Sequence, residues 1–582
     1  MQDPAAGGGP LPGSHSASPF APFANIGVVI EGISKAAALA SVALIMGLQF
    51  ALQPGVTWPL RLVMALALAA GTVAGRLSPQ SAPAFFVALV PLAPVALARL
   101  TGASDPVHHT VWMAALVGCI LFAIPRSKWA FPEGWRVLVG GWALTLSLAW
   151  PVLVAREIDF DVSRLFDTSS VNSWALMTSA QVTGWILHVV LAHLVGLLWL
   201  EWLMTRGRAG WPAALPRVVH GLWIGATLSS LMAIYQGTID LTFLSSPQWA
   251  SLARAPGAML DANGYGVVAA LAGPLAVIAI PQLRLRWGPM IAMTVLATNW
   301  TGLWMSGARA ALLCGIVGTV FLVSGLVRAG RPSRRVVLAA TGILGVAMLV
   351  VVLQSGATGP VKRFDELPGG NVSDVARALF IRGGYGGIAV RMIREHPLTG
   401  VGIGTYNWLA PDYWRVMQDD ALPFDNAQNW WRHQVAELGV IGALPLLVWS
   451  VAIAGLVFGR SSGRARLLDT ATLRGLVLGV GLISFLGMPT ENPVALLWFL
   501  SLVALLATSV DPPRRWALPR LASPAAWIAV AALSVLYAGG QLVLATGGLG
   551  VAARAARANR DYAAGVYEPE RLPDGDRFQW TR

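Results

Sequence analysis

The chain of 582 residues is 55% hydrophobic and only 12% charged, with a formal net charge of +13 and a mean hydropathy of +0.62. A soluble domain has about 25% charged residues, so this composition and its many long apolar runs exclude a soluble protein and indicate a polytopic α-helical membrane protein. The positive charge does not indicate nucleic-acid binding, because most basic residues fall in short loops that flank apolar spans.

The elements in chain order begin with a tail. Residues 1–30 are rich in Gly, Pro, Ser and Ala and are predicted to be a disordered cytoplasmic segment. Residues 31–548 are predicted to form an all-α membrane domain with about fifteen transmembrane helices, and residues 549–582 a periplasmic tail. The predicted spans lie near residues 33–53, 57–75, 82–100, 109–125, 136–155, 176–203, 214–236, 263–281, 287–304, 308–328, 335–354, 434–458, 470–488, 492–510 and 525–548.

Basic loops predict the orientation of these spans, since Lys and Arg concentrate on the cytoplasmic side. The basic loops alternate along the chain with loops that lack this excess, which places the N-terminus in the cytoplasm. The remaining loops are predicted to lie outside, including the long insert at 355–433. The basic loops lie at 126–128, 206–208, 284–286, 328–335, 460–466 and 514–515.

The insert at 355–433 is the only long interval between predicted spans, and it concentrates Arg, His, Asp, Gly and Trp. Loops of this length are usually functional or disordered, so we predict an active site here, at the membrane surface. Arg382 and Arg391 are candidates for binding a lipid diphosphate, because a guanidinium binds phosphate oxygens in a bidentate manner and keeps its charge. Arg363 is a further candidate. The alternative for these arginines is contact with lipid headgroups or an ion pair with Asp374 or Glu395.

Arg309 opens a predicted span at its outer end. A charged residue inside a membrane costs a few kcal/mol unless it faces a polar cavity or a partner. The small residues Ser306, Gly307, Ala308 and Ala310 leave space around its side chain. These features favour a functional role over the alternative, in which the side chain extends to the lipid headgroups.

The segment that runs from the insert into the next span carries further candidates. Asp425 lies three residues before Gln428, and His433 and Glu437 share a helix face at i, i+4. A histidine beside a carboxylate is a general-base arrangement, and a structural hydrogen bond on the helix face is the alternative. Trp430 is interpreted as a residue of the interfacial aromatic belt or as a platform for stacking a sugar.

Three other patterns are interpreted as structural. His188 and His193, five residues apart in one span, are predicted to be packing residues. The glycines between Gly400 and Gly404 are predicted to form a tight turn. The sequence Asp159-Phe-Asp161 resembles a metal-binding pair, but such pairs arise easily by chance, so no metal site is predicted.

Several short motifs together resemble the O-antigen ligase and polymerase superfamily of bacterial envelopes. The resemblance covers roughly residues 250–510. The motifs are Gly257…Asp261-Ala-Asn263-Gly-Tyr-Gly, Ser306 to Arg309, Arg382 with the run Met392-Ile-Arg-Glu-His-Pro-Leu-Thr-Gly-Val-Gly-Ile-Gly404, Asn429 with Gly439-Val-Ile-Gly442, and Met488-Pro-Thr-Glu491-Asn-Pro.

This resemblance implies a GT-C-like integral membrane glycosyltransferase in the bacterial inner membrane. Its donor is a glycan on undecaprenyl diphosphate at the periplasmic face, and it needs no cofactor, metal or nucleotide sugar. The acceptor is another lipid-linked repeat in polymerases, lipid A–core in ligases and protein in some relatives. Membrane lipids and a chain-length regulator protein are further candidate partners. Arg309 and Arg382 match arginines assigned to the donor diphosphate, and Asn263, Asn429 and Glu491 are added as substrate-binding candidates.

One residue departs from the ligase pattern, which has a histidine where this chain has Gln428. A glutamine orients a hydroxyl but does not act as a base, so base help comes from Asp425, His433 or Glu437, or else stabilisation of the leaving group dominates. The departure favours a polysaccharide polymerase, with a ligase as the alternative. A flippase is the distant alternative. Transporters favour inverted repeats and broken helices near the membrane centre, whereas this chain concentrates its polar residues in one outer loop.

Overall fold

The computed structural model describes residues 21–52, 58–101, 107–124, 128–158, 171–172, 177–208, 214–328, 385–417, 426–461, 469–511, 523–546 and 549. These residues are almost all α-helical. The helices are α1 (Ala21–Leu52), α2 (Trp58–Leu77), α3 (Ala82–Leu89), α4 (Ala93–Thr101), α5 (Val107–Ile120), α6 (Glu133–Ile158), α7 (Ser179–Arg208), α8 (Ala214–Thr238), α9 (Pro247–Ser251), α10 (Ala262–Ala279), α11 (Gly288–Met305), α12 (Arg309–Arg328), α13 (Tyr385–Glu395), α14 (Tyr406–Met417), α15 (Trp430–Val457), α16 (Thr470–Ile483), α17 (Pro493–Ser509) and α18 (Pro524–Thr546).

Nine helices in the described ranges are long and apolar enough to cross a membrane, or ten if α3 and α4, bent by 69°, form one broken span. Helices α5, α16 and α17 are shorter apolar helices at predicted spans. The predicted span at 335–354 lies outside the described residues. The multi-pass helical membrane architecture is therefore confirmed, whereas the number of about fifteen spans and the GT-C-like arrangement stay predictions. Helix α1 begins at Ala21, within the segment predicted to be a tail.

Two short antiparallel strand pairs accompany the helices. Strand β1 (Val171–Asn172) pairs with β2 (Met177–Thr178) ahead of α7. Strand β3 (Arg460–Ser461) pairs with β4 (Val510–Asp511). The second pair joins the ends of α15 and α17, both of which run into loops predicted to be cytoplasmic.

Side-chain caps fix where several helices begin. Asp261, Asn429, Asp469 and Asn492 each precede a helix and accept a hydrogen bond from a backbone N–H of its first turn. Such a cap satisfies donors that the helix leaves unpaired and is worth about 1 kcal/mol. Three of these caps, those of α10, α15 and α17, belong to the segments that resemble the ligase superfamily.

A buried ion pair connects α1 with α7. Lys35 Nζ lies 2.5 Å from Glu201 Oε1, and both side chains are fully buried. The ammonium also donates to the Lys128 carbonyl, and the carboxylate accepts from the Ala130 backbone N–H. Buried charges are tolerated when they are paired and hydrogen-bonded, so this cluster holds a loop predicted to be cytoplasmic against the bundle.

The insert contributes two helices, α13 and α14, that pack on each other through a small apolar core separate from the main one. Ile388, Ala389 and Met392 of α13 lie in it with Tyr406 and Leu409 of α14. The spacing of the α13 residues follows a helix period, so these apolar residues share one face of α13.

The middle of α15 is interrupted at Gly439, whose φ of 60° and ψ of −174° are not helical. At this break the chain from Pro397 to Gly402 crosses the helix and forms four backbone hydrogen bonds with it. Val401 and Gly402 donate to the carbonyls of Ala436 and Glu437, and Val440 and Ile441 donate to those of Pro397 and Leu398, at 2.7 to 2.9 Å. We call this arrangement the glycine crossing, because the backbones meet at Gly400 and Gly439.

Buried polar side chains of α6 and α18 hold the glycine crossing in place. Arg156 of α6 donates through Nη1 to the Val401 carbonyl and to Gln541 Oε1, both at 2.8 Å. Its charge is balanced by Glu157, 2.6 Å away. Gln541 of α18 donates to the Thr399 carbonyl at 2.7 Å. Two helices far apart in sequence therefore fix the loop.

We predict that Gly439→Ala strongly destabilises the protein. An added Cβ would lie 2.4 Å from the Gly400 nitrogen and from the Leu398 carbonyl. The positive-φ backbone, which is essentially restricted to glycine at this ψ, adds about 1–3 kcal/mol, and overpacking typically adds about 1–3 kcal/mol. The melting temperature of the detergent-solubilised protein measures the effect.

The matched control is Gly481→Ala in α16, where nothing lies within 4 Å of the added carbon. This change should leave the melting temperature unchanged or raise it, since alanine favours helix. Equal melting of Gly439→Ala and the wild type would contradict the glycine crossing.

Candidate active site

A cavity of about 1220 Å³ lies among the ends of α5, α7, α10, α12, α15 and α17 and the loops beside them. The stretches predicted to be cytoplasmic contribute no residue to its lining. The cavity gathers most of the predicted site residues that the structure describes. These are Asn263, Arg309, Gln428, Trp430, His433, Glu437 and Glu491.

Arg309 is the first residue of α12, and its half-buried side chain lines the cavity. The turn before it is held by Ser306, whose Oγ accepts from the Ala308 backbone N–H at 3.2 Å. Gly307 adopts a φ of +62° that glycine favours. The start of a helix carries partial positive charge and unpaired N–H groups, so the guanidinium and the helix end together suit an anion.

Arg254 is a second cavity arginine, which the sequence analysis missed. Its Nε donates to the Ser306 carbonyl at 2.8 Å, and its Nη2 donates to Asn263 Oδ1 at 2.7 Å. The guanidinium lies 4.8 Å from the centre of the Trp249 ring, a cation–π contact. Only 4% of the residue is exposed, so the guanidinium lies buried in the cavity wall, beside the turn that precedes Arg309.

A sequence signal for Arg254 existed. It lies in an outer loop, three residues before the first glycine of the motif Gly257 to Gly266. Its position beside this motif marks it as a candidate, although it lies outside both the long insert and the span that begins at Arg309.

Asp261 joins two of the superfamily motifs. Its carboxylate accepts from the backbone N–H groups of Asn263 (2.9 Å) and Gly264 (3.1 Å), and from Asn492 Nδ2 (3.1 Å). Desolvation in the cavity wall raises the pKa of Asp261, while these hydrogen bonds and the nearby Arg254 charge act in the opposite direction. The carboxylate therefore fixes the starts of α10 and α17 together.

The segment before α15 is joined to the loop before α17. Asn426 Nδ2 donates to Glu491 Oε2 at 2.7 Å, and Asn426 Oδ1 accepts from the Gln428 backbone N–H at 2.8 Å. Gln428 has a positive φ of 49°. The backbone N–H of Trp430 donates to the carbonyls of Ser484 and Gly487. These contacts place an amide, a carboxylate and an indole on one wall of the cavity.

His433 and Glu437 contact each other, as their i, i+4 spacing predicts. His433 Nε2 lies 3.5 Å from Glu437 Oε1, and both side chains are largely buried. The same carboxylate oxygen accepts from the Tyr406 backbone N–H at 3.0 Å. The Tyr406 ring packs on the imidazole with centroids 4.8 Å apart. The geometry is that of an oriented histidine–carboxylate pair, and its catalytic role stays a prediction.

Other candidates lie away from the cavity or outside the described residues. Arg391 forms an i, i+4 ion pair with Glu395 at 2.8 Å, and the two side chains are 38% and 44% exposed, which matches the alternative interpretation of Arg391. Asn429 caps α15 and donates to the Phe485 carbonyl, so its side chain is engaged in structure. The candidates that lie outside the described residues are Arg363, Arg382, Asp425 and the pair Asp159 and Asp161.

Histidines form a further part of the cavity lining. His188 and His193 of α7, predicted to be packing residues, both line it, together with His108 and His109 of α5. The rings of His109 and His188 are 5.5 Å apart. Within the described part of the chain, no group of three or more His, Cys, Asp or Glu residues is arranged to hold a metal ion.

The cavity thus has two chemical sides. Two arginines and a helix start provide fixed positive charge, which stabilises negative charge that develops during a reaction. Amides, carboxylates, imidazoles and indoles provide hydrogen-bonding and stacking groups of the kind that bind hydroxyl-rich molecules. The arrangement suits transfer between an anionic, phosphate-containing group and a hydroxyl.

In the comparison with protein families, residues 292–447 match the family model described as O-Antigen ligase. This range includes Arg309, the glycine crossing and the segment from Asn429 to Gly442, whereas Arg254, Asp261 and Glu491 lie outside it. In the comparisons with curated proteins and with solved structures, nothing matched the chain. This match confirms the resemblance of the chain to the O-antigen ligase and polymerase superfamily.

Proposed function

We propose that the protein is an inverting, metal-independent membrane glycosyltransferase. It takes an oligosaccharide from undecaprenyl diphosphate at the periplasmic face of the inner membrane and polymerises the repeat units of a surface polysaccharide. The observation that carries this proposal is the cavity that combines Arg254 and Arg309 at the start of α12 with the polar motifs of an O-antigen ligase domain.

The donor diphosphate would lie against Arg254 and Arg309. As the bond between the sugar and the phosphate breaks, negative charge grows on the departing diphosphate. Guanidinium groups that are already oriented stabilise this charge without reorganisation. Arg254 is oriented by Ser306, Asn263 and Trp249. A diphosphate with two guanidinium partners needs no metal ion to neutralise it.

The acceptor would occupy the opposite side, near Gln428, Trp430 and Glu491. Typical small-molecule pockets measure about 300–1,000 Å³, so a cavity of about 1220 Å³ has room for a diphosphate and for sugars on both sides of the reacting bond. The acceptor hydroxyl would attack the anomeric carbon from the face opposite the diphosphate, which inverts the configuration. Holding both reactants in line supplies much of the rate.

Two alternatives remain. The matching family is described as O-Antigen ligase, which favours transfer to lipid A–core, while Gln428 at the position of the ligase histidine favours the polymerase. A flippase of lipid-linked sugars is the distant alternative. Helix α15 is interrupted at Gly439, as transporter helices often are, but four backbone hydrogen bonds lock this break.

The proposed orientation places the N-terminus in the cytoplasm and the cavity at the periplasmic face. It is supported by the alternation of basic loops along the chain. It is also supported by the cavity lining, which includes loops that the alternation assigns to the outer side and no residue of the basic loops.

Product sizing tests the function. The purified full chain in liposomes is incubated with an undecaprenyl diphosphate-linked repeat unit, and the products are separated by size. We expect a ladder of glycans on the carrier lipid, because each product is again an acceptor. Glycan appearing only on added lipid A–core would instead identify a ligase, and the absence of glycan transfer to either acceptor would contradict the proposal.

Arg254→Ala and Arg309→Ala should each lower the rate of glycan transfer by roughly 100- to 1,000-fold, the usual effect of removing one transition-state hydrogen-bond donor. Lysine at either position should restore little, because it lacks the planar fork. Initial rates in the liposome assay measure the loss.

The control for these changes is Arg217→Ala, which removes an exposed arginine of α8 that contacts Gln80 and Ser81. It should transfer glycan at the wild-type rate. Since Arg254 also supports the turn before α12, the melting temperature of each variant is compared with that of the wild type. Wild-type transfer by folded Arg309→Ala protein would remove the proposed role of the arginine.

A further inference from the structure

The base that activates the acceptor hydroxyl is the open part of the proposed mechanism, since Gln428 does not accept a proton. Several histidines line the cavity. In a neutral imidazole one nitrogen carries hydrogen and the other a lone pair, and the hydrogen-bond partners determine which is which. The ring hydrogen bonds of His433, His109 and His193 define the tautomers of these three residues.

His433 is not suited to remove a proton from the acceptor hydroxyl, because both of its ring nitrogens contact the protein. The Ala427 backbone N–H lies 3.4 Å from Nδ1 and is only a donor, so Nδ1 carries the lone pair. Nε2 then carries the hydrogen, which faces Glu437 Oε1 at 3.5 Å. Both nitrogens of His433 are therefore engaged with the protein.

His109 also has its hydrogen on Nε2. The indole Nε1–H of Trp112 donates to His109 Nδ1 at 3.0 Å, and an indole nitrogen is only a donor. The hydrogen of the neutral ring is therefore on Nε2, and this nitrogen does not remove a proton from a hydroxyl.

His193 has the opposite tautomer. Its Nδ1 lies 2.9 Å from the Val189 carbonyl, and a carbonyl only accepts, so Nδ1 carries the hydrogen and Nε2 the lone pair. The Trp142 ring packs edge-on against the imidazole, with centroids 5.8 Å apart. The ring is thus oriented by one helix turn and one aromatic contact, as a base requires.

An acidic side chain shares the cavity with His193. Glu437 and His433 of α15 line the same cavity as His193. When His193 becomes an imidazolium, the Glu437 carboxylate stabilises its charge by attraction. A titratable residue inside a membrane-spanning helix that faces a polar cavity is a strong candidate for function.

We propose that His193 is the general base for the acceptor hydroxyl, an inference that rests on the proposed glycosyltransferase function. Nε2 takes the hydroxyl proton as the oxygen forms its bond to the anomeric carbon. The bond between that carbon and the phosphate oxygen breaks, and the diphosphate leaves with the electron pair. The imidazolium then returns its proton to water, so no oxidant, reductant or metal takes part.

The test replaces His193 by alanine in the full chain in liposomes. We expect the rate of glycan transfer to fall by roughly 100- to 10,000-fold, the range for removing a general base. Binding of undecaprenyl diphosphate, measured by quenching of intrinsic tryptophan fluorescence, should be retained. Added imidazole should restore part of the rate, with larger restoration by more basic imidazoles.

The matched control is His220→Ala. His220 also lies in a spanning helix and accepts from a tryptophan indole, Trp223 Nε1, at 3.0 Å, but it does not line the cavity. This variant should keep the wild-type transfer rate and show no response to imidazole.

The outcomes separate the inference from the proposed function. If the wild type transfers no glycan, the function itself is wrong, and with it the role of His193. If the wild type is active and His193→Ala transfers at the same rate, only the inference is overturned. Loss of activity that imidazole does not restore identifies a structural role and also overturns it.

Discussion

The glycine crossing is the constraint on which the rest of the site depends. A transmembrane helix leaves no backbone group unpaired in the membrane, so the break in α15 at Gly439 requires partners from elsewhere. The chain from Pro397 to Gly402 supplies them through four hydrogen bonds. The same contact orients Glu437, whose carbonyl accepts from Gly402, and brings Tyr406 to the Glu437 carboxylate. The insert is thereby attached to the bundle at the cavity.

The buried charged residues lie in two kinds of surroundings. The buried ion pairs at Lys35–Glu201 and Arg156–Glu157 connect parts of the bundle, and their charges are paired within the protein. Arg254 and Arg309 instead lie in the cavity wall, where the proposed function gives their positive charge a chemical use.

The sequence predicted those features that depend on local spacing. The helical spans follow from apolar runs, and the contact between His433 and Glu437 follows from one turn of helix. The ion pair of Arg391 with Glu395 has the same local origin. Features that depend on distant segments were missed. The site of Arg254 is completed by the Ser306 carbonyl, 52 residues away. The break at Gly439 was hidden in an apolar run. His193 was predicted to be a packing residue, because its place in the cavity beside His433 and Glu437 depends on the folded structure.

The central claim is that Arg254 and Arg309 bind the donor diphosphate in this cavity, and a cryo-EM structure of the protein with undecaprenyl diphosphate tests it most directly. We expect the phosphate oxygens within hydrogen-bond distance, about 3 Å, of both guanidinium groups, with the start of α12 facing the diphosphate. Diphosphate density bound elsewhere on the protein, with both arginines unchanged and the cavity empty, would contradict the account.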